Sequence, residues 1–124
     1  MTQPLALVFY ENLLPGTQLV NRLQDLGYRV RVAASAMTLV AQAEQEKPML
    51  VLADLRSRNA DLCQVIRELR GKPSTEHIPV LAFLAKSDDK MQEAARSAGA
   101  TMVALEDAIL PQLPQLLARV LEVE

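Results

Sequence analysis

The sequence predicts a single α/β domain, in which five parallel strands alternate with helices that cover both faces of one sheet. Three observations predict it. The apolar runs Leu5–Phe9, Met49–Ala53 and Val80–Leu84 are short and nearly continuous, as strands buried on both faces are. The stretches between strands carry apolar residues at helical spacing. Glycine, proline and aspartate stand where those helices should start or stop.

Taken in order, Leu5–Phe9 is strand one. Pro15-Gly16 precedes a first helix marked by Leu19, Val20, Leu23 and Leu26, and Gly27 closes it. Tyr28-Arg29-Val30-Arg31-Val32 alternates apolar and charged residues. It reads as a strand with one wet face, and its charges suit a sheet edge. Ala36, Leu39, Val40 and Ala43 mark helix two, and Pro48 sits ahead of strand three at Met49–Ala53. Leu62, Ile66 and Leu69 mark helix three, with Asp61 as its N-cap and Gly71 at its end. Strand four is Val80–Leu84. Asp88 caps helix four, whose stripe is Met91, Ala94, Ala95 and Ala98, and Gly99 closes it. Met102–Leu105 is a weaker strand five. Leu113, Leu116, Leu117, Val120 and Leu121 mark helix five, which Pro111 and Pro114 push toward a start near Leu113.

Short crossovers of this kind require parallel strands with helices on both faces. The chain is too short for an eight-fold barrel. A flavodoxin-like (βα)5 sheet of order 2-1-3-4-5 remains, with the alternating strand two at its edge. A single domain over residues 1–124 is expected.

Composition narrows the function. The chain has 124 residues, half of them apolar, yet only 3% are aromatic: Phe9, Tyr10, Tyr28 and Phe83. Its core must be aliphatic. A formal net charge of -2 with no basic stripe argues against nucleic acid binding. One cysteine excludes an internal disulfide, and one cysteine with one histidine cannot build a Cys/His zinc site. No apolar run is long enough to span a membrane, and the N-terminus lacks a signal-peptide pattern. A cytoplasmic location is the expectation. Cys63 reads as a half-buried structural thiol, His77 as an exposed loop residue, and Met91 and Met102 as core fillers.

In open parallel sheets, sites form beyond the carboxyl ends of the strands, where the strand order switches. Three carboxylates, Glu11, Asp54 and Glu106, are placed on that rim, with Arg56 and Arg58 just after strand three. Here the chain resembles the response-regulator receiver domain, the CheY-like module of two-component signalling. The features that carry the resemblance run from Leu5 to Val120. They are Val51-Leu52-Ala53-Asp54-Leu55, the later Asp61, His77-Ile78-Pro79-Val80 leading into strand four, and Ala98-Gly99-Ala100 before strand five. Their order and spacing are the specific part.

The resemblance implies that Asp54 is the phosphoacceptor. Phosphoryl transfer to a carboxylate gathers negative charge, so a metal ion and a cation are needed to neutralise it. In the family, an acidic pair after strand one holds Mg²⁺, and a Thr or Ser ending strand four and a Lys ending strand five hold the phosphoryl oxygens. This sequence departs at each place. The pair reads Tyr10-Glu11. The Thr/Ser position is Leu84, the Lys position Glu106, and the aromatic switch position Val103. Arg58 stands where a Pro is usual and Leu62 where a Gly is usual. Weak Mg²⁺ binding would fall to Glu11, Asp54 and the Arg56 carbonyl; otherwise no cofactor is expected. Arg56 or Arg58 could replace the metal as counter-charge.

The expected function is therefore that of a degenerate receiver, or pseudo-receiver. It is not an enzyme and acts by contact with a sensor kinase or another signalling protein. A homodimer through helix four, strand five and helix five is a further expectation, on a face carrying Met91, Glu93, Ala95 and Val103. No effector segment is expected after the fifth helix, as in a stand-alone regulator or an excised piece. One alternative is a conventional receiver with Mg²⁺-dependent phosphorylation of Asp54. Another is a small flavodoxin-like enzyme or nucleotide-binding domain, which the single glycine in Glu11-Asn12-Leu13-Leu14-Pro15-Gly16 disfavours.

Overall fold

The structure is a computed structural model that describes residues 4–10, 13–33, 35–55, 61–84 and 88–122. Its elements run β1 (Leu5–Phe9), α1 (Leu13–Asp25), β2 (Arg29–Val32), α2 (Ala36–Glu46), β3 (Leu50–Asp54), α3 (Leu62–Arg70), β4 (Val80–Leu84), α4 (Asp89–Ala98), β5 (Met102–Leu105), α5 (Glu106–Ile109) and α6 (Leu113–Glu122). All strand pairs are parallel, and the sheet order is β2-β1-β3-β4-β5. The expected flavodoxin-like fold and strand order are thus what the chain adopts.

Alternation along each strand divides the core into two layers. Leu7, Phe9, Val51, Ala53, Val80, Ala82 and Leu84 face α2, α3 and α4. Ala6, Val8, Leu50, Leu52, Leu81 and Phe83 face α1, α5 and α6. Every residue of β1, β3 and β4 is buried, which explains their unbroken apolar runs. By contrast β2, at the edge, has Arg29, Arg31 and Val32 exposed.

Local chemistry sets most helix ends. Ser35 and Thr38 form a reciprocal capping box on α2. The Asp61 carboxylate accepts from the Cys63 and Gln64 amides, and the Asp88 carboxylate from the Met91 amide. Gly99 closes α4 at φ 119°, a left-handed conformation that favours glycine.

Several boundaries differ from expectation. Helix α1 starts at Leu13, so Pro15-Gly16 lies inside its first turn rather than before it. A first-turn proline is tolerated because its missing N–H has no intrahelical acceptor there. Strand β3 is Leu50–Asp54, which leaves Met49 outside it and 49% exposed. Strand β2 begins one residue later than expected, at Arg29. The short helix α5 between β5 and α6 was not expected. Cys63 is only 6% exposed and so is buried, not half-buried. Among the described residues, no helix is long and apolar enough to cross a membrane.

Candidate functional site

The carboxyl ends of the strands form the rim where the order switches, with β3 beside β1. Asp54 is the last residue of β3, is 5% exposed and pairs in register with Phe83. By alternation it lies on the same face as Leu50 and Leu52, toward α1 and α6. The Leu55 amide donates to the Phe83 carbonyl at 3.0 Å, which extends the β3–β4 ladder past the carboxylate. A buried acid at the end of a central strand is thus held on a rigid base.

Among the described residues, the neighbouring strand ends carry Tyr10 after β1 and Leu84 on β4. Tyr10 follows β1 and packs against the α1-side core. Its ring lies where a Cβ on Gly16 would have to go. The glycine is what lets the ring settle on the first turn of α1. Leu84 ends β4 at 1% exposure, inside the α2–α4 core. It has no hydroxyl, and its side chain is packed among hydrocarbon. Val103, in β5, is partly buried against the same core. Glu106 opens α5 and is partly buried, next to the end of β5. Both Asp54 and Glu106 have interaction partners. Glu11, Arg56 and Arg58 lie outside the described residues.

Mg²⁺ binding takes several converging oxygens, and of the three expected here only Asp54 lies among the described residues. Among the described residues, no cluster of three His, Cys, Asp or Glu side chains could hold a metal. Cys63 is no nucleophile candidate: burial first, then the nearby Asp61 charge, pushes its thiol up.

A family model described as the response regulator receiver domain matches residues 14–110. The chain belongs to that family. This receiver also aligns with solved structures over nearly its whole length. One is a chain of Chloroflexus aurantiacus J-10-fl named as a response regulator: 22% identity, 98% of this chain and 99% of that chain covered, TM-score 0.90. Another is the receiver domain of the sensor histidine kinase PA1611 of Pseudomonas aeruginosa PAO1, which has a magnesium ion coordinated in its active site cleft. It is 24% identical, with 98% and 99% covered and TM-score 0.87. The chemotaxis response regulator CheY4 of Vibrio cholerae aligns at 19% identity, 96% and 99% covered, TM-score 0.85. No curated protein matches the sequence.

Ala95 was expected on an interaction face, but it is 0% exposed and belongs to the core. On α4, Glu93 is exposed and Met91 partly so. Arg70 carries a cluster of bonds that no sequence pattern signals. Arg70, the last residue of α3, spans three segments at the opposite end of the sheet. Its Nε donates to the Gly99 carbonyl at 2.8 Å, Nη1 to the Glu76 and Ile78 carbonyls, and Nη2 to Thr101 Oγ1 at 2.9 Å. Thr101 Oγ1 also accepts from the Val80 amide. Burial lowers the Arg70 pKa. Only the position of Arg70 before Gly71 was visible in sequence; its partners at Gly99 and Thr101 lie 29 and 31 residues away.

Proposed function

We propose that this receiver domain works in two-component signalling by protein–protein contact, with Asp54 kept as a phosphoacceptor position whose supporting chemistry is lost. The observation that carries the reading is the company Asp54 keeps. At the end of the adjacent β4 stands Leu84, buried among hydrocarbon, and one strand further on, after β5, stands Glu106, a carboxylate. Phosphoryl transfer to an aspartate needs donors and cations aimed at the transferring oxygens. Leu84 offers no donor, and Glu106 adds repulsion where a cation is needed.

In this reading the counter-charge for Asp54 comes from Arg56 or Arg58, which follow β3 in sequence. Any Mg²⁺ binding is weak and falls to Glu11, Asp54 and the Arg56 carbonyl. The domain is a cytoplasmic, non-enzymatic module. Its partner is a sensor kinase or another signalling protein, or a second copy bound through α4, β5 and α6. The open edge of the sheet supports that face: all four residues of β5 are partly exposed. With Val103 in place of an aromatic switch, contact there does not depend on phosphate.

Acetyl phosphate labelling tests the proposal. The expected result is label at or near background, equal in the wild type and Asp54→Asn. Strong label in the wild type that vanishes in Asp54→Asn would establish the conventional receiver instead.

A further inference from the structure

We propose that the cleft at the amino end of the sheet, opposite Asp54, binds a small zwitterion: a free α-amino acid with an apolar side chain. The cleft has a volume of about 490 Å³ and is lined by Met49, Arg70, Glu76, His77, Pro79, Thr101 and Leu121. Small-ligand pockets span roughly 300–1,000 Å³ and combine apolar walls with a few placed polar groups. Met49, Pro79 and Leu121 supply the walls. Met49 is a large apolar side chain left 49% exposed at the cleft.

The polar groups point to the ligand class. Arg70 and Glu76 carry opposite charges on one cleft, yet no ion pair joins them. Elsewhere, ion pairs join Arg31 to Glu46 and Lys72 to Glu44. The four hydrogen bonds of Arg70 all go to neutral oxygens. A guanidinium has five N–H donors, so one remains. The other four bonds hold the plane of the fork still, which pre-organises that donor. Glu76 is exposed, and its carboxylate has no partner among the described residues. A ligand that presents a carboxylate to Arg70 and an ammonium to Glu76 satisfies both. A simple anion fits less well. The carboxyl ends of α3 and α6 lie at this edge of the sheet, and their partial negative charge disfavours an added anion but tolerates an ammonium.

Amide NMR titration of the wild-type protein with L-leucine is the test, with leucinamide and 4-methylpentanoate as analogues lacking the carboxylate or the ammonium. Leucine is expected to shift the Met49, His77, Thr101 and Leu121 amides saturably, with a Kd of about 10 mM or tighter. Each analogue should bind about tenfold more weakly, the worth of one charged hydrogen bond. Glu76→Gln changes an exposed side chain outside any helix or strand, so the fold should be kept. It should weaken leucine to the level of 4-methylpentanoate and leave 4-methylpentanoate unchanged. No saturable shift, equal binding of all three probes, or leucine binding indifferent to Glu76→Gln would overturn the proposal.

Discussion

Replacing Arg70 with leucine is expected to destabilise the domain by about 3 kcal/mol, because four acceptors, three of them in part-buried bonds, lose a charged donor at once. The bonds at stake tie α3 to the segment before β4 and to the α4–β5 turn, through Glu76, Ile78, Gly99 and Thr101. Arg70 is only partly buried, so water recovers some of the loss, and the figure is set below the sum of four separate bonds. For a domain of this size the change lowers Tm by about 10 °C. Arg70→Lys keeps the charge but not the planar fork, and should recover less than half of the loss, leaving about 2 kcal/mol. Gly99→Ala should damage the same junction from the other side. A Cβ there would sit 2.5 Å from Arg70 Cγ, at a backbone φ of 119°. Urea unfolding followed by circular dichroism measures all three. A loss below about 1 kcal/mol for Arg70→Leu would mean that the junction is not held by the guanidinium.

The second large effect is a gain. Glu106→Lys combined with Leu84→Thr is expected to raise acetyl phosphate labelling of Asp54 about a hundredfold, the scale on which one preorganised donor acts. The lysine turns repulsion into attraction where charge develops, and the threonine supplies a hydroxyl. The threonine has a structural cost. Leu84 is buried in the α2–α4 core, so Leu84→Thr should destabilise by about 2–3 kcal/mol through lost packing and a buried hydroxyl. Labelling must therefore be read at a temperature where the double variant is still folded. Unchanged labelling in a folded variant would show that Leu84 and Glu106 are not what restrains Asp54.

Much of the fold could be read from the residues because single-element rules decide it. The runs Leu5–Phe9 and Val80–Leu84 match strands residue for residue, since a strand buried on both faces has no polar residue to blur its ends. The alternation in β2 reports an edge, and Asp61, Asp88 and Gly99 report caps, all from local chemistry. The misreadings have physical causes too. Helix α5 is four residues long and leaves no helical period to detect. Pro15-Gly16 resembles a helix start but sits within the first turn. Ala95 was placed both in the apolar stripe of α4 and on the interaction face, because an alanine at helical spacing fits either a core or a close interface; it lies in the core. At the site, the positions of Asp54, Leu84 and Glu106 at strand ends were legible from their spacing. The Tyr10–Gly16 contact and the four bonds of Arg70 were not, since both depend on residues brought together by folding.

On the proposed function, the Asp54 pocket lacks the chemistry of a working receiver. Titration with Mg²⁺ and beryllofluoride, read by amide NMR shifts, tests it most directly. No saturable shifts around Asp54 are expected at low millimolar metal. Saturable shifts there, spreading to Leu84 and β5, would contradict it and make this a phosphate-responsive receiver.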